Sequence, residues 1–398
     1  MPDFLEGSQR LFEYTRALRR DFHRHPELGF QEVRTASIVA RELNELGLEV
    51  STGIGQTGVV ALLEGEHPGP VVLLRVDMDA LPIQEATGAE YASTTPGVMH
   101  ACGHDGHTAI GLAVARLLND QRSSINGTVK LVFQPAEEGL GGAEAMLKDG
   151  VLENPRPDAA LSLHLWNEKP LGWIGATPGP VMAAADIFRI QLRGRGGHGA
   201  QPHLAIDPLV ASAQIITALQ SIVSRNISPL ESGVVSVTAL HTGEAFNIIP
   251  DKVEMQGTIR TFKKEVRAVI LERFHQIFVG VAQAFNCQIE MDIQSITPAV
   301  INNPHITALV QETSRELMEQ SELDTGMMTM GSEDMAFMMQ DIPGCYFFVG
   351  SANPEKGLDA AHHHPRFDID EESLPRAAAL MAAATLRVLS GLGENVIE

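Results

Sequence analysis

Val71-Val-Leu-Leu-Arg-Val76 is apolar at five of its six positions. A strand with one wet face alternates, whereas a run this continuous predicts a strand covered on both faces, the habit of a parallel sheet. Outward from it, residues 59–63 read as a second strand. Residues 31–46 carry apolar positions at helical spacing up to Gly47, a natural stop. In the other direction the pattern predicts a helix over 108–118, a strand over 128–133, a short helix over 142–147 and a strand over 159–165. Strands and helices alternating in this way predict an α/β domain around a central, mainly parallel sheet.

The middle of the chain changes rhythm. Residues 187–192, 234–240, 253–261 and 288–293 read as strands, with long helices over 208–225 and 264–285. The order β-α-β-β-α-β is that of the ferredoxin-like unit. Pro178-Gly-Pro180 precedes it and Thr297-Pro298 follows it, both natural boundaries. Beyond them a helix over 304–317, a strand over 345–349 and a helix after Glu371 resume the first pattern. The expected architecture is an α/β domain of residues 1–183 and 298–398, interrupted by an inserted ferredoxin-like (βαββαβ) domain at 184–297.

Composition narrows the function classes. The 398 residues are 44% hydrophobic and 20% charged, an ordinary globular mixture with ample core. A formal net charge of −21 argues against nucleic acid or an anionic membrane as partner. Cys102, Cys287 and Cys345 are widely spaced and give no disulfide framework, which suits a reducing, cytoplasmic compartment. Residues 1–10 lack the apolar core of a secretory signal. The longest apolar stretch, between Arg376 and Arg387, has about half the length a bilayer requires.

The polar clusters carry the chemistry. His100-Ala-Cys-Gly-His-Asp-Gly-His107 gathers three histidines, a cysteine and an aspartate within eight residues. A thiolate and an imidazole two positions apart, across a glycine, can face one divalent ion, zinc foremost. Phe133-Gln-Pro-Ala-Glu137-Glu138-Gly139 leaves the carboxyl end of a predicted strand, the edge where α/β sheets form sites. One carboxylate there can hold metal while its neighbour serves as general base toward water. His164, in Leu161-Ser-Leu-His164, ends the next predicted strand at the same edge, and His362-His-His-Pro365 is expected to supply at least one further ligand. Asp77 and Asp79 follow the central strand, where they can ligate metal, orient a ligating histidine or cap a turn.

These segments resemble the M20 family of metallopeptidases, in the branch of N-acyl-amino-acid amidohydrolases that contains hippurate hydrolases and indoleacetyl-amino-acid hydrolases. The resemblance rests on Arg24-His-Pro-Glu-Leu-Gly-Phe30, Arg75-Val-Asp-Met-Asp-Ala-Leu-Pro82, His100-Ala-Cys-Gly-His-Asp105 and Gln134-Pro-Ala-Glu-Glu-Gly139. It continues through Gly196-Gly-His-Gly-Ala-Gln-Pro-His203, Asn247-Ile-Ile-Pro250, Gly257-Thr-Ile-Arg-Thr-Phe262, Gly331-Ser-Glu-Asp334 and His363-His-Pro-Arg-Phe-Asp368. The segments run in family order over nearly the whole chain.

The resemblance implies two divalent metal ions per subunit, zinc first and manganese, cobalt or nickel as alternatives, held by Cys102, His104, Glu138, His164 and His363. It implies Glu137 as general base and Asp79 as the residue that orients a ligand. His363 is chosen from the triplet because it stands two before Pro365, and Asp77 is set aside because the wider family carries histidine there. The inserted domain would act as a dimerisation and lid domain of a homodimer, or of a tetramer built from it. His198 would reach the partner's site to hold the developing oxyanion, and Asn247 and Arg260 would grip the substrate's carboxylate. The expected activity is hydrolysis of N-acyl amino acids to a carboxylic acid and a free amino acid. A carboxypeptidase or dipeptidase with the same site is the neighbouring reading. A cysteine nucleophile built on Cys102 and His104 lacks a third, orienting group and leaves the glutamates idle, and a protein that merely binds acyl-amino acids has no use for an intact base.

Overall fold

The computed structural model describes residues 2–394. They form two compact units. One comprises the chain up to Val181, Ile301–Met328 and the chain from Asp334; the other comprises Met182–Val300 and Thr329–Glu333.

The first unit is built on an eight-stranded sheet. Its order is Glu49–Ile54, Gly58–Glu64, Asn126–Gln134, His67–Asp77, Ala159–Pro170, Gly344–Ala352, Trp173–Gly175 and Glu322–Asp324. His67–Asp77 is interior, with parallel neighbours on both sides. Its Val72, Leu73, Leu74 and Val76 are at most 4% exposed, as the nearly continuous apolar run predicts, and Arg75 between them is buried as well. Gly344–Ala352 extends the parallel centre. Glu49–Ile54, Gly58–Glu64 and Asn126–Gln134 pair antiparallel, so the sheet is mixed around a parallel core. Two amino-terminal helices, Phe4–Arg10 and Phe12–Arg24, precede the elements read from the sequence.

Two elements differ from the sequence reading in ways that matter for the site. The helix expected over 108–118 is His104–Asn119, so His104 and His107 lie in its first turn rather than in a preceding loop, while His100 and Cys102 stay ahead of it. Gly103 supplies the reason: its φ of +92° reverses the chain into the helix, a conformation that side chains resist. This helix buries 14 of its 16 residues, which its all-round apolar and small side chains allow. The strand expected to end at Leu165 runs on to Pro170, so His164 lies within it rather than at its end. The Ala-rich stretch between Arg376 and Arg387 lies in Ser373–Glu394, where residues 377–384 are at most 1% exposed. It is a core helix. Among the described residues no helix is long and apolar enough to cross a membrane.

The second unit holds a four-stranded antiparallel sheet in the order Gly233–His241, Lys252–Thr261, Ala184–Arg193, Gln288–Thr297. Numbered along the chain that order is 2-3-1-4, the ferredoxin-like arrangement. Phe188, Ile190 and Leu192 point inward from one strand while Arg189 and Arg193 point out. Helices Pro208–Asn226 and Lys264–Ala284 meet that inner face through Ile215, Ile222, Phe274 and Phe278. Asp207 caps the first helix by accepting from Leu209 and Val210 backbone nitrogens.

Candidate metal centre

Four segments of the first unit carry the candidate ligands. Cys102 and Gly103 lead into helix His104–Asn119, and Glu137 and Glu138 occupy the turn after strand Asn126–Gln134. His164 stands two residues past Ser162, the last rung its strand shares with His67–Asp77. There the sheet opens on one side. His363 follows in the loop before the last helix at φ +64°, its backbone nitrogen donating to Ala101 O at 2.8 Å.

The donor atoms converge. Cys102, His104 and His164 each bring one to within 4.8 Å of the others, and so do Cys102, Glu138 and His363, and His104, Glu137 and Glu138. Cys102 belongs to two of these groups, so its sulfur is common to two sets of three donors. Its Sγ is 3.5 Å from His164 Nε2, and His363 Nε2 is 3.1 Å from Glu138 Oε1.

The hydrogen-bond network assigns which ring nitrogens are available. His104 Nδ1 donates to the Asp79 carbonyl at 2.9 Å and faces Asp79 Oδ1 at 3.2 Å, while its buried Nε2 has no hydrogen-bond partner. His164 Nδ1 donates to Leu165 O at 2.7 Å, which turns the Nε2 lone pair toward Cys102. Two lone-pair donors aimed at a sulfur in a largely dry pocket are what a divalent cation completes. His107 differs: Nδ1 donates to Asp77 Oδ1 at 2.6 Å and Nε2 accepts from Leu165 N at 2.9 Å. The other Asp77 oxygen accepts from Arg75 Nη1 at 2.8 Å. Asp77 and His107 lie close to His104, yet their donor atoms are already spent on one another and on the scaffold.

The electrostatics agree with the donor chemistry. Burial, reinforced by Glu138, pushes the Cys102 thiol up. Burial alone would lower His104, but Asp77, Asp79 and Cys102 hold it well above the ordinary imidazole range. Hydrogen bonds to Cys102 and Glu138 raise His363 to about 10. A pocket that grips protons this tightly is short of positive charge. Its sulfur, nitrogen and oxygen donors fit two divalent ions.

Supporting residues complete the site. Asp79 Oδ2 accepts from Glu138 N at 3.0 Å, and Glu137 Oε1 lies 3.4 Å from Asp334 N. Sequence reasoning missed a buried clamp behind the histidine cluster. Arg19, fully buried, donates Nε to Asp105 at 2.8 Å and Nη2 to Asp368 at 2.6 Å, and His23 Nδ1 lies 2.7 Å from Asp105. These bonds tie helix Phe12–Arg24 to the residue after His104 and to the loop after His363. The available signal was an Arg and a His four apart, on one face of a helix.

Three candidates lie in the second unit. His198, exposed, sits on the short strand Gly197–His198 paired with Ile248–Ile249. Its Nδ1 accepts from Ala200 N at 3.0 Å, so the ring proton is on Nε2. Asn247, beside that pairing, accepts from Gly199 N at 2.8 Å through its carbonyl. Arg260 is half-buried on Lys252–Thr261; burial lowers its pKa, and Nη1 donates to Ser332 Oγ at 2.8 Å.

Residues 73–387 match the model of peptidase family M20/M25/M40. The chain is 41% identical to the N-acetylcysteine deacetylase of Bacillus subtilis over 94% of its own length and 96% of the relative's. It is 39% identical to the hippurate hydrolase of Campylobacter jejuni, again over 94% and 96%. A crystal structure of a dinuclear metal-binding M20 peptidase from Bacillus subtilis superposes with a TM-score of 0.84 at 36% identity, covering 96% of this chain and 99% of that one. The chain belongs to the M20/M25/M40 peptidase family and is a hydrolase of its amidohydrolase branch.

Proposed function

We propose that the protein is a dinuclear metallohydrolase that cleaves the amide bond of N-acyl amino acids, releasing a carboxylic acid and a free amino acid. The observation that carries this reading is the pair of three-donor groups sharing Cys102, with Glu137 alongside. Cys102, His104 and His164 would hold one ion, and Cys102, Glu138 and His363 the other. Bound divalent ions would supply Lewis acidity, polarising the amide carbonyl and lowering the pKa of water toward about 7. Glu137 takes the proton of the attacking water and delivers it to the leaving amine nitrogen. The Nε2–H of His198 stabilises the charge growing on the carbonyl oxygen. Arg260 and Asn247 hold the amino acid's carboxylate, for which a guanidinium offers paired donors. Asp79 fixes His104 and Glu138.

The thiolate favours zinc, with manganese, cobalt and nickel as alternatives. The names of the two curated relatives support an acyl–amino acid amide as substrate. Residues 184–297 act as the dimerisation and lid domain of a homodimer. The unpaired Cys102, Cys287 and Cys345 support a cytoplasmic location.

The test is a hydrolysis screen of chelator-treated and metal-reconstituted protein on hippurate, N-acetyl amino acids, indoleacetyl conjugates and dipeptides. Turnover of the acyl amino acids, lost on chelation and restored by divalent metal, is expected. Turnover confined to dipeptides makes it a peptidase. Activity that survives exhaustive metal removal overturns the metal-dependent reading.

A further inference from the structure

His362 has no part in the ligand set above, yet the structure gives it a defined place. Its ring lies against Trp166 and Phe367, with centroids at 4.9 and 5.0 Å, so packing fixes its plane. Its Nε2 is 3.2 Å from the backbone nitrogen of Asn167. A backbone N–H only donates, so Nε2 carries a lone pair and the proton of the neutral ring is on Nδ1. That nitrogen faces Cys102, with Sγ at 3.9 Å, within reach of a large and polarisable acceptor. Asn167 is itself anchored, its Nδ2 donating to Ala360 O at 2.9 Å and to Asp368 O at 3.0 Å. The strand that carries His164 is thereby tied to the loop on both sides of the histidine triplet. With one nitrogen accepting and the other protonated, His362 has no lone pair left for a metal.

We propose that His362 is a positioning residue for the Cys102 sulfur: its Nδ1–H donates to Sγ, orienting the sulfur as a metal ligand and drawing electron density from it. The proposal rests on the reading of Cys102 as a metal ligand. Donors of this kind behind a ligand set both its orientation and its electron density, and their loss weakens metal binding. The Cys102 carbonyl is the competing acceptor within reach of the ring.

Cobalt(II) reads the sulfur directly, through the charge-transfer band of a thiolate bound to it. In wild type the band is expected in the near ultraviolet. His362→Phe keeps a ring between Trp166 and Phe367 but removes both nitrogens. It should move the band to longer wavelength and weaken cobalt binding about tenfold, with the number of ions bound at saturation unchanged. His362→Gln offers a carbonyl to Asn167 and an amide N–H to the sulfur, so it should restore both. A band unmoved in His362→Phe assigns the proton to the carbonyl and overturns the proposal. Loss of one ion at saturation makes His362 a ligand and overturns it equally. No band in wild type removes Cys102 from the ligands, and the underlying reading fails with it. Nitrogen-15 NMR of the zinc-loaded wild type needs no variant: the Nδ1–H tautomer of His362 is expected, and the Nε2–H tautomer overturns the proposal.

Discussion

Asp79 Oδ1 lies 3.2 Å from His104 Nδ1, while Oδ2 of the same carboxylate accepts from the backbone nitrogen of Glu138 at 3.0 Å. One side chain thus sets the distance between candidate ligands on two different elements. An ionised carboxylate accepts through both oxygens, whereas an amide accepts through one and would turn its NH2 toward a donor. Asp79→Asn should therefore weaken metal binding by about 10- to 100-fold, measured by competition with a chelating dye. Unchanged affinity in a variant of normal thermal stability would leave Asp79 as a turn residue only.

Glu137 and Glu138 are neighbours that should fail differently. Glu137→Gln removes the proposed base, and turnover should fall about 10²- to 10⁴-fold with metal content near normal. Glu138→Gln removes a donor from the group with Cys102 and His363, so elemental analysis should show the occupancy itself dropping. Normal metal content and activity in both variants would rule out this motif as the centre.

The sequence made most of the frame legible because each element announces itself locally. The unbroken apolar run around Leu73 marks a strand covered on both faces, and the β-α-β-β-α-β order marks the second sheet. What local pattern misses is set by distant partners. Spacing from Cys102 favours His104 over His107, but what occupies His107 is not local: its ring nitrogens meet Asp77 and the Leu165 nitrogen, both distant in the chain. Gly103 hides the helix start, because a left-handed residue leaves no periodicity. Arg19 reads as an ordinary surface charge until Asp105 and Asp368 are folded against it.

That clamp makes stability depend on pH. Burial opposes the charge on His23, but Asp105 outweighs it, with help from Glu85, and raises the imidazole to about 9. Asp105, despite its burial, is held far below the usual carboxylate range by Arg19 and His23, so it stays ionised throughout. A folded-state pKa above the unfolded value of about 6.5 means the stabilisation is complete below that pH and is lost as pH rises through about 9. The amount at stake is roughly 3 kcal/mol. Thermal melts should show wild type losing more stability between pH 7 and pH 10 than His23→Gln does. Equal losses in the two proteins would separate the pH response from this pair.

His198 tests whether a working site takes residues from two chains. It belongs to the second unit, and the proton on its exposed Nε2 is free to be donated outward. On the proposed reading that donor serves the partner's site, so a monomer should be inactive even with its metals bound. His198→Ala and Glu137→Gln should each be inactive, for opposite reasons. Mixed under conditions of subunit exchange, they should regenerate activity. In a mixed dimer one site combines the intact base of one chain with the intact donor of the other, and its second site lacks both. Equal mixing makes about half the dimers mixed, each with one working site, so recovery should approach about a quarter of wild-type activity, given two-fold pairing. Exchange must be followed independently, for example by mass tags on the two variants. Demonstrated exchange with no recovered activity would place His198 in the service of its own chain.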